Sequence, residues 1–152
     1  MAEIKNRIEL ESYFPYLLRA ISTRINVGTS SMLVEGIRIG MREWRILALM
    51  ADKGIVHNKQ ITLDSGMDKA SVSRSLKFLE QEGLIHSVEG ENWRSKPYQL
   101  SKRGVKVFET IAADKISRAE TLWEDLNRKE QSELIRLLQK LKANVDRVLD
   151  PE

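Results

Sequence analysis

The stretch from Met67 to Ile85, MDKASVSRSLKFLEQEGLI, limits the possible folds more than any other part of this 152-residue chain. Asp68 is a capping residue, able to accept from the backbone N–H groups of a helix's first turn. Val72, Leu76 and Leu79 then recur at helical spacing, so one face of the segment must be buried. Lys69, Ser71, Ser73, Arg74 and Lys77 fall largely off that stripe, and no acid appears after the cap until Glu80. Gly83 ends the helix and LIHSV starts a strand. A short helix that is apolar behind, and basic and hydroxyl-rich in front, suits the major groove of DNA, which admits one α-helix. An ordinary solvated surface helix carries similar charges, so the rest of the chain has to decide between the two.

The net charge of +3 is modest, but its distribution is not even. Residues 69–106 carry eight Lys or Arg against four Asp or Glu, whereas residues 107–152 carry eight against ten. Within 92–106 there are five basic residues and no acid. Positive charge is gathered around the capped helix and the segment C-terminal to it, the footprint of a surface that faces phosphates.

Hydrophobic residues at 41% and charged residues at 31% predict an ordered, soluble chain, and its length suits a single domain spanning 1–152. No apolar run is long enough to cross a bilayer, and MAEIKNRIELES lacks the apolar core of a signal peptide, so the expected location is the cytoplasm. The absence of cysteine excludes disulfides and thiolate metal sites. The two histidines, His57 and His86, lie far apart with no carboxylate pattern around them. No metal, cofactor or catalytic set is expected, which argues against an enzyme.

In chain order, a first helix is expected from Ser12. Pro15 lies near its start, and Phe14, Leu17, Leu18, Ile21 and Ile25 form an apolar stripe. Gly28 to Ser31 ends it, and LVEGIRIG reads as a link. REWRILALMADK, residues 42–53, is a second helix with Trp44, Leu47, Ala48 and Met50 or Ala51 inward, stopped by Gly54. A short third helix covers Lys59 to Ser65, between a cap at Asn58 and Gly66. Joined to the basic helix by SGMD, it makes a helix-turn-helix. Strands near 84–89 and 96–100 around a tip at Gly90-Glu91-Asn92 make a β-hairpin wing. Pro97 is expected on an edge, or where its missing N–H would face solvent. Ser101 caps a fifth helix running to about Leu126, with Val105, Phe108, Ile111 and Ala112 apolar. Asn127 and Glu130 form a capping box for a sixth helix, to about Leu149. Leu134, Leu138, Leu141, Val145 and Val148 step by four and three along it, an a/d seam suited to another helix. A chain this short struggles to cover both the first and the last stripe, which favours a dimer. The chain therefore reads as mainly α with a β-hairpin wing: a DNA-binding lobe at 42–103, and helical dimerisation regions at 12–35 and 104–149.

The segments IGMREWRIL, GMDKASVSRSLKFLEQEGLI, NWRSKPYQLSKRG and LNRKEQSELIRLLQKL, in that order, resemble the MarR family of bacterial transcriptional regulators over roughly residues 12–149. The resemblance implies a homodimeric winged helix-turn-helix regulator of double-stranded DNA, expected to act as a repressor. Its first and last two helices would form the dimer interface. A small effector, often an aromatic acid, would bind between the dimer and DNA-binding lobes. Three positions depart from the family pattern. Asn92 stands where an acid usually holds the wing arginine, Gly40 where a threonine caps the second helix, and Thr62 where a small alanine packs.

On this reading Ser71, Ser73, Arg74 and Lys77 are candidates for the major groove, and Lys69 for a phosphate. Arg94 at the wing tip suits a narrow minor groove, with Trp93 packing back on the hairpin. Lys96, Lys102 and Arg103 are candidate phosphate clamps. Two such half-molecules would address half-sites roughly 34–36 Å apart. Arg19 can hold an effector carboxylate through its guanidinium fork, with Ser30, Ser31 and Trp44 in the same cavity, although each also has an ordinary structural role. The competing reading is a winged-helix module that binds protein instead of DNA; an acidic or apolar front on the fourth helix would favour it, and the front is basic.

Overall fold

The computed structural model describes residues 7–27, 31–88 and 96–149. The chain divides into two compact units, Met1–Ile111 and Ala112–Glu152.

In the first unit, α1 (Phe14–Val27) contains no buried residue. Pro15 sits in its first turn, where the missing N–H would have had no intrahelical partner. The segment expected as a link is instead a β-hairpin, β1 (Ser31–Val34) and β2 (Ile37–Gly40), paired from Ser31↔Gly40 to Val34↔Ile37. Its two-residue turn holds Glu35 at φ 50° and Gly36 at φ 79°, the positive-φ pair of a type I′ turn. Ile37 and Ile39 are buried, with Met32 and Val34 packed against the same core. The alternation that marks this hairpin is short, and Leu33 at its centre points outward.

Helix α2 (Met41–Lys53) begins directly after β2, without a side-chain cap at Gly40. It buries Ile46, Leu47 and Met50. Trp44 and Ala48 are half-buried and Ala51 is exposed, so the inward face is turned toward Ile46 relative to the sequence expectation. Gly54 (φ 76°) closes the helix, its N–H donating to the Met50 carbonyl. A two-residue strand, β3 (Val56–His57), has no counterpart in the sequence expectation. It leads into α3 (Asn58–Ser65), whose cap position is His57, so Asn58 is the first helical residue and not the cap. Gly66, at φ 65°, makes the left-handed turn into α4 (Lys69–Gln81).

The sheet order is β3-β5-β4, where β4 is Ile85–Ser87 and β5 is Pro97–Leu100. Pro97 therefore lies on the central strand, not an edge. It is tolerated because it is the strand's first residue, and its carbonyl still accepts from Val88 N–H at 3.0 Å. The wing tip, including Gly90-Glu91-Asn92, lies outside the described residues. Helix α5 begins at Lys102, with Ser101 Oγ accepting from Gly104 N–H at 2.9 Å as its cap. Its buried residues in this unit are Gly104, Val107 and Ile111, with Phe108 partly buried; Val105 is exposed. One core of sixteen buried apolar residues, all between Ile37 and Ile111, binds these elements together.

In the second unit α5 continues to Thr121, short of the expected Leu126, and a turn leads to α6 (Arg128–Leu149). Asn127 caps α6 by accepting from the Lys129 and Glu130 N–H groups, and Glu130 accepts from Asn127 N–H at 2.8 Å, completing the capping box. No described residue of this unit is buried.

Candidate nucleic-acid interface

The interface is built from the back of α4 outward. Val72, Leu76 and Leu79 are all buried, fixing one face of the helix on α2 and α3. Asp68 anchors the start: its carboxylate accepts from Ser71 N–H at 2.8 Å and from Ser71 Oγ at 2.7 Å. These hydrogen bonds from Ser71 hold the Asp68 carboxyl below the ordinary aspartate range, helped by the Arg74 charge. The far end closes in a Schellman turn, with Leu84 N–H donating to Leu79 O, Gly83 N–H donating to Glu80 O, and Gly83 at φ 67°.

Rotation about this axis sorts the candidate residues. Lys69, Ser73, Arg74 and Lys77 are exposed. Ser71 is not on that face. It is 4% exposed, and its hydroxyl donates to Asp68 and accepts from Arg74 Nη2 at 3.2 Å. Its place one position from Val72 turns it inward, so it organises the cap and orients Arg74. Ser75, unmarked in the sequence, is 3% exposed and donates to Glu43 Oε1 at 2.6 Å, tying the rear of α4 to the first turn of α2. A Cβ on Gly40 would fall 2.6 Å from Glu43 Oε2, so the missing cap side chain leaves room for this carboxylate.

Two of the three basic residues expected to clamp phosphates have protein partners. Lys96 Nζ lies 2.9 Å from Glu80 Oε1 and 5.1 Å from the centre of the Tyr98 ring. The hydrogen bond to Glu80 holds its pKa above the ordinary lysine value. Arg103 Nε donates to Glu35 Oε2 at 3.0 Å, and its Nη1 donates to the Glu82 carbonyl at 2.9 Å. Lys102 is exposed at the first position of α5. Arg94, Trp93 and Asn92 lie outside the described residues, as does Ser30.

Arg19 is exposed on α1, and Ser31 on β1 accepts from Arg38 Nη1 at 3.2 Å. Trp44 stacks on Phe108, ring centres 5.4 Å apart and planes within 5°. It also walls an open groove of about 410 Å³ with Arg45, Ala48, Leu49, Asp52, Asp64 and Ser65. Neither Arg19 nor Ser31 lines that groove, so neither meets Trp44 there. Among the described residues no group of His, Asp and Glu is placed to hold a metal, and no helix is long and apolar enough to cross a membrane.

A three-helix lobe whose second and third helices form a helix-turn-helix, backed by a three-stranded antiparallel sheet, is a winged helix-turn-helix protein. No family model matches the chain. A solved MarR/EmrR family transcriptional regulator from Acinetobacter sp. ADP1 is 27% identical, covers 92% of this chain and 99% of its own, and superposes with a TM-score of 0.79. An uncharacterized HTH-type transcriptional regulator of Bacillus subtilis, YwoH, is 25% identical over 104 residues, 68% of this chain and 76% of that protein. The fold is shared also by BpsR of Bordetella bronchiseptica, solved in a study of how 6-hydroxynicotinic acid regulates its DNA binding, at 16% identity, 91% and 99% coverage and a TM-score of 0.71. By sequence and fold together the chain is thus similar to winged helix-turn-helix transcriptional regulators of the MarR/EmrR type. Fold and similarity together support the function of a DNA-binding transcriptional regulator.

Proposed function

We propose that the chain acts as a homodimer that places α4 in the major groove of double-stranded operator DNA and represses transcription until an organic-acid effector releases it. The observation that carries the reading is the sorting of α4 into an inward face of Val72, Ser75, Leu76 and Leu79 and an outward face of Lys69, Ser73, Arg74 and Lys77. Arg74 is suited to guanine and Ser73 to a base or phosphate, while Lys69 and Lys77 sit where a phosphate backbone would pass. Lys102, exposed at the first position of α5, adds a phosphate contact. Arg94 retains its role as the minor-groove arginine by virtue of its sequence position.

The case for a dimer rests on apolar surface. Leu17, Leu18, Ile21 and Ile25 on α1 and Leu134, Leu138 and Val145 on α6 are all exposed, far more than solvent alone favours. A second copy supplies matching faces, which leaves 12–35 and 104–149 as dimerisation regions and 42–103 as the DNA-binding lobe. An effector of aromatic-acid type is supported by the ligand named for BpsR. Arg19, Ser30, Ser31 and Trp44 remain its candidate contacts only if the partner protomer completes the cavity.

The test is a fluorescence-anisotropy titration against duplex carrying the sequence upstream of the chain's own coding region. The logarithm of the affinity should fall linearly with the logarithm of salt concentration, by about 0.9 per phosphate neutralised. Binding that ignores salt, or none at low salt, would overturn the reading.

A further inference from the structure

We propose that Arg103 is a positioning residue that locks the C-terminal turn of the recognition helix to the β1–β2 hairpin, with Glu35 as its counterpart; the inference rests on α4 being the DNA-reading helix. Arg103 stands at the second position of α5 and reaches two other elements at once. Its Nη1 donates to the carbonyl of Glu82, the C-cap residue of α4, and its Nε donates to Glu35 at the hairpin turn, 68 positions away in sequence. A helix's last carbonyls lack intrahelical partners and carry the negative end of its dipole, so a guanidinium there both satisfies and anchors the turn. The planar fork can serve a carbonyl and a carboxylate together, which a lysine ammonium on a flexible stem does poorly.

A second observation is independent of that contact. Glu35 is the only non-glycine residue at positive φ among the described residues. The first central position of a type I′ turn favours Asn, Asp or Gly, because a bulkier side chain there is strained. A glutamate in this place is therefore poor for the turn itself. What it gains is a carboxylate that meets Arg103. The hairpin is in turn held by Ile37 and Ile39 in the core, so the ion pair connects a fixed strut to the end of α4. Lys96 braces the same turn from the wing side, through Glu80. The C-terminal end of the recognition helix is thus held from two directions by cations that composition alone would assign to phosphates.

Glu35→Gly separates positioning from folding, since glycine relieves the turn while deleting the carboxylate. Its thermal midpoint should be unchanged or raised. Its affinity for the upstream duplex should fall roughly three-fold, the scale of an exposed ion pair, with the salt slope unchanged. Arg103→Lys should lose a similar factor, and the double variant should be little worse than either single one. Amide exchange of Gly83 and Leu84 should quicken in both. If Glu35→Gly leaves affinity unchanged or tightens it, as simple removal of a negative charge near DNA would, the proposal is overturned. It is equally overturned if Arg103→Ala lowers the salt slope by about one while Arg103→Lys is normal, the signature of a phosphate clamp. A wild-type chain that binds no duplex would instead defeat the DNA reading, and the amide exchange would then judge the brace by itself: no change in Glu35→Gly overturns it.

Discussion

A Cβ added to Gly104 would stand 1.9 Å from the carbonyl oxygen of Leu84, a backbone atom that also accepts from Ser101 N–H at 2.9 Å. The start of α5 is thus pressed directly onto the exit of α4. Ser101 Oγ donates to the Gly83 carbonyl at 2.7 Å in the same corner. In an ordinary helix interior Gly→Ala stabilises by about 1 kcal/mol. Here the overlap is with backbone, which no rotamer can avoid. Gly104→Ala should destabilise by about 1–3 kcal/mol, as overpacking does, read from the denaturant midpoint.

Ser75 and Glu43 make the corresponding contact on the rear of α4. Ser75 is buried, and its hydroxyl is the donor to the Glu43 carboxylate. Ser75→Ala should cost about 1–2 kcal/mol, because a part-buried carboxylate loses a hydrogen bond. Urea unfolding of the variant checks this. The DNA affinity of the folded fraction should be unchanged, since Ser75 faces away from the proposed interface.

The Asp68 cap makes α4 sensitive to acid. Its carboxyl is held below the ordinary range chiefly by Ser71, so the folded state favours the charged form. The resulting stability is fully present above the unfolded value of about 3.9 and is lost as pH falls through the lower folded value. Asp68→Asn should therefore melt below wild type at neutral pH, and the difference should shrink progressively as the pH drops below about 4. Paired thermal melts across pH 2.5–7 would test it; a constant gap would contradict the assigned cause.

The proposed dimer places Leu138 at a protomer contact, whereas in one chain it is 40% exposed. Leu138→Glu should leave α6 helical by circular dichroism and shift the chain to monomer in sedimentation at micromolar concentration. A wild type that sediments as a monomer would remove the dimer from the account.

The parts of this molecule that are legible in sequence are those governed by local rules. Asp68, Ser101 and the Asn127–Glu130 pair cap helices because a short polar side chain and a starting helix suffice to define the contact. Val72, Leu76 and Leu79 announce the buried face of α4 by spacing alone. The parts that are not legible depend on distant partners. Arg103 and Lys96 read as phosphate clamps, and nothing local announces Glu35, Glu82 and Glu80, the partners that the fold brings to them. Ser71 looks outward on a coarse helical count, yet its neighbour Val72 and the acceptor Asp68 turn it in. The β1–β2 hairpin reads as a link because Glu-Gly is a weaker turn signal than Asn-Gly or Asp-Gly. The alternation of Met32, Val34, Ile37 and Ile39 across it is the cue. Pro97 suggests an edge because the two-residue β3 that makes β5 central is too short to declare itself.

The most direct test compares sequence preference rather than affinity. Binding of wild type, Arg74→Ala and Lys102→Ala is measured on the upstream duplex and on a scrambled duplex of equal length and composition, at one salt concentration. With α4 in the major groove, Arg74→Ala should lower the preference for the upstream duplex about ten-fold, the scale of one lost bidentate base contact. Lys102→Ala should weaken both duplexes alike. An Arg74→Ala variant that loses equally on both, or on neither, would contradict the placement of this helix against the bases.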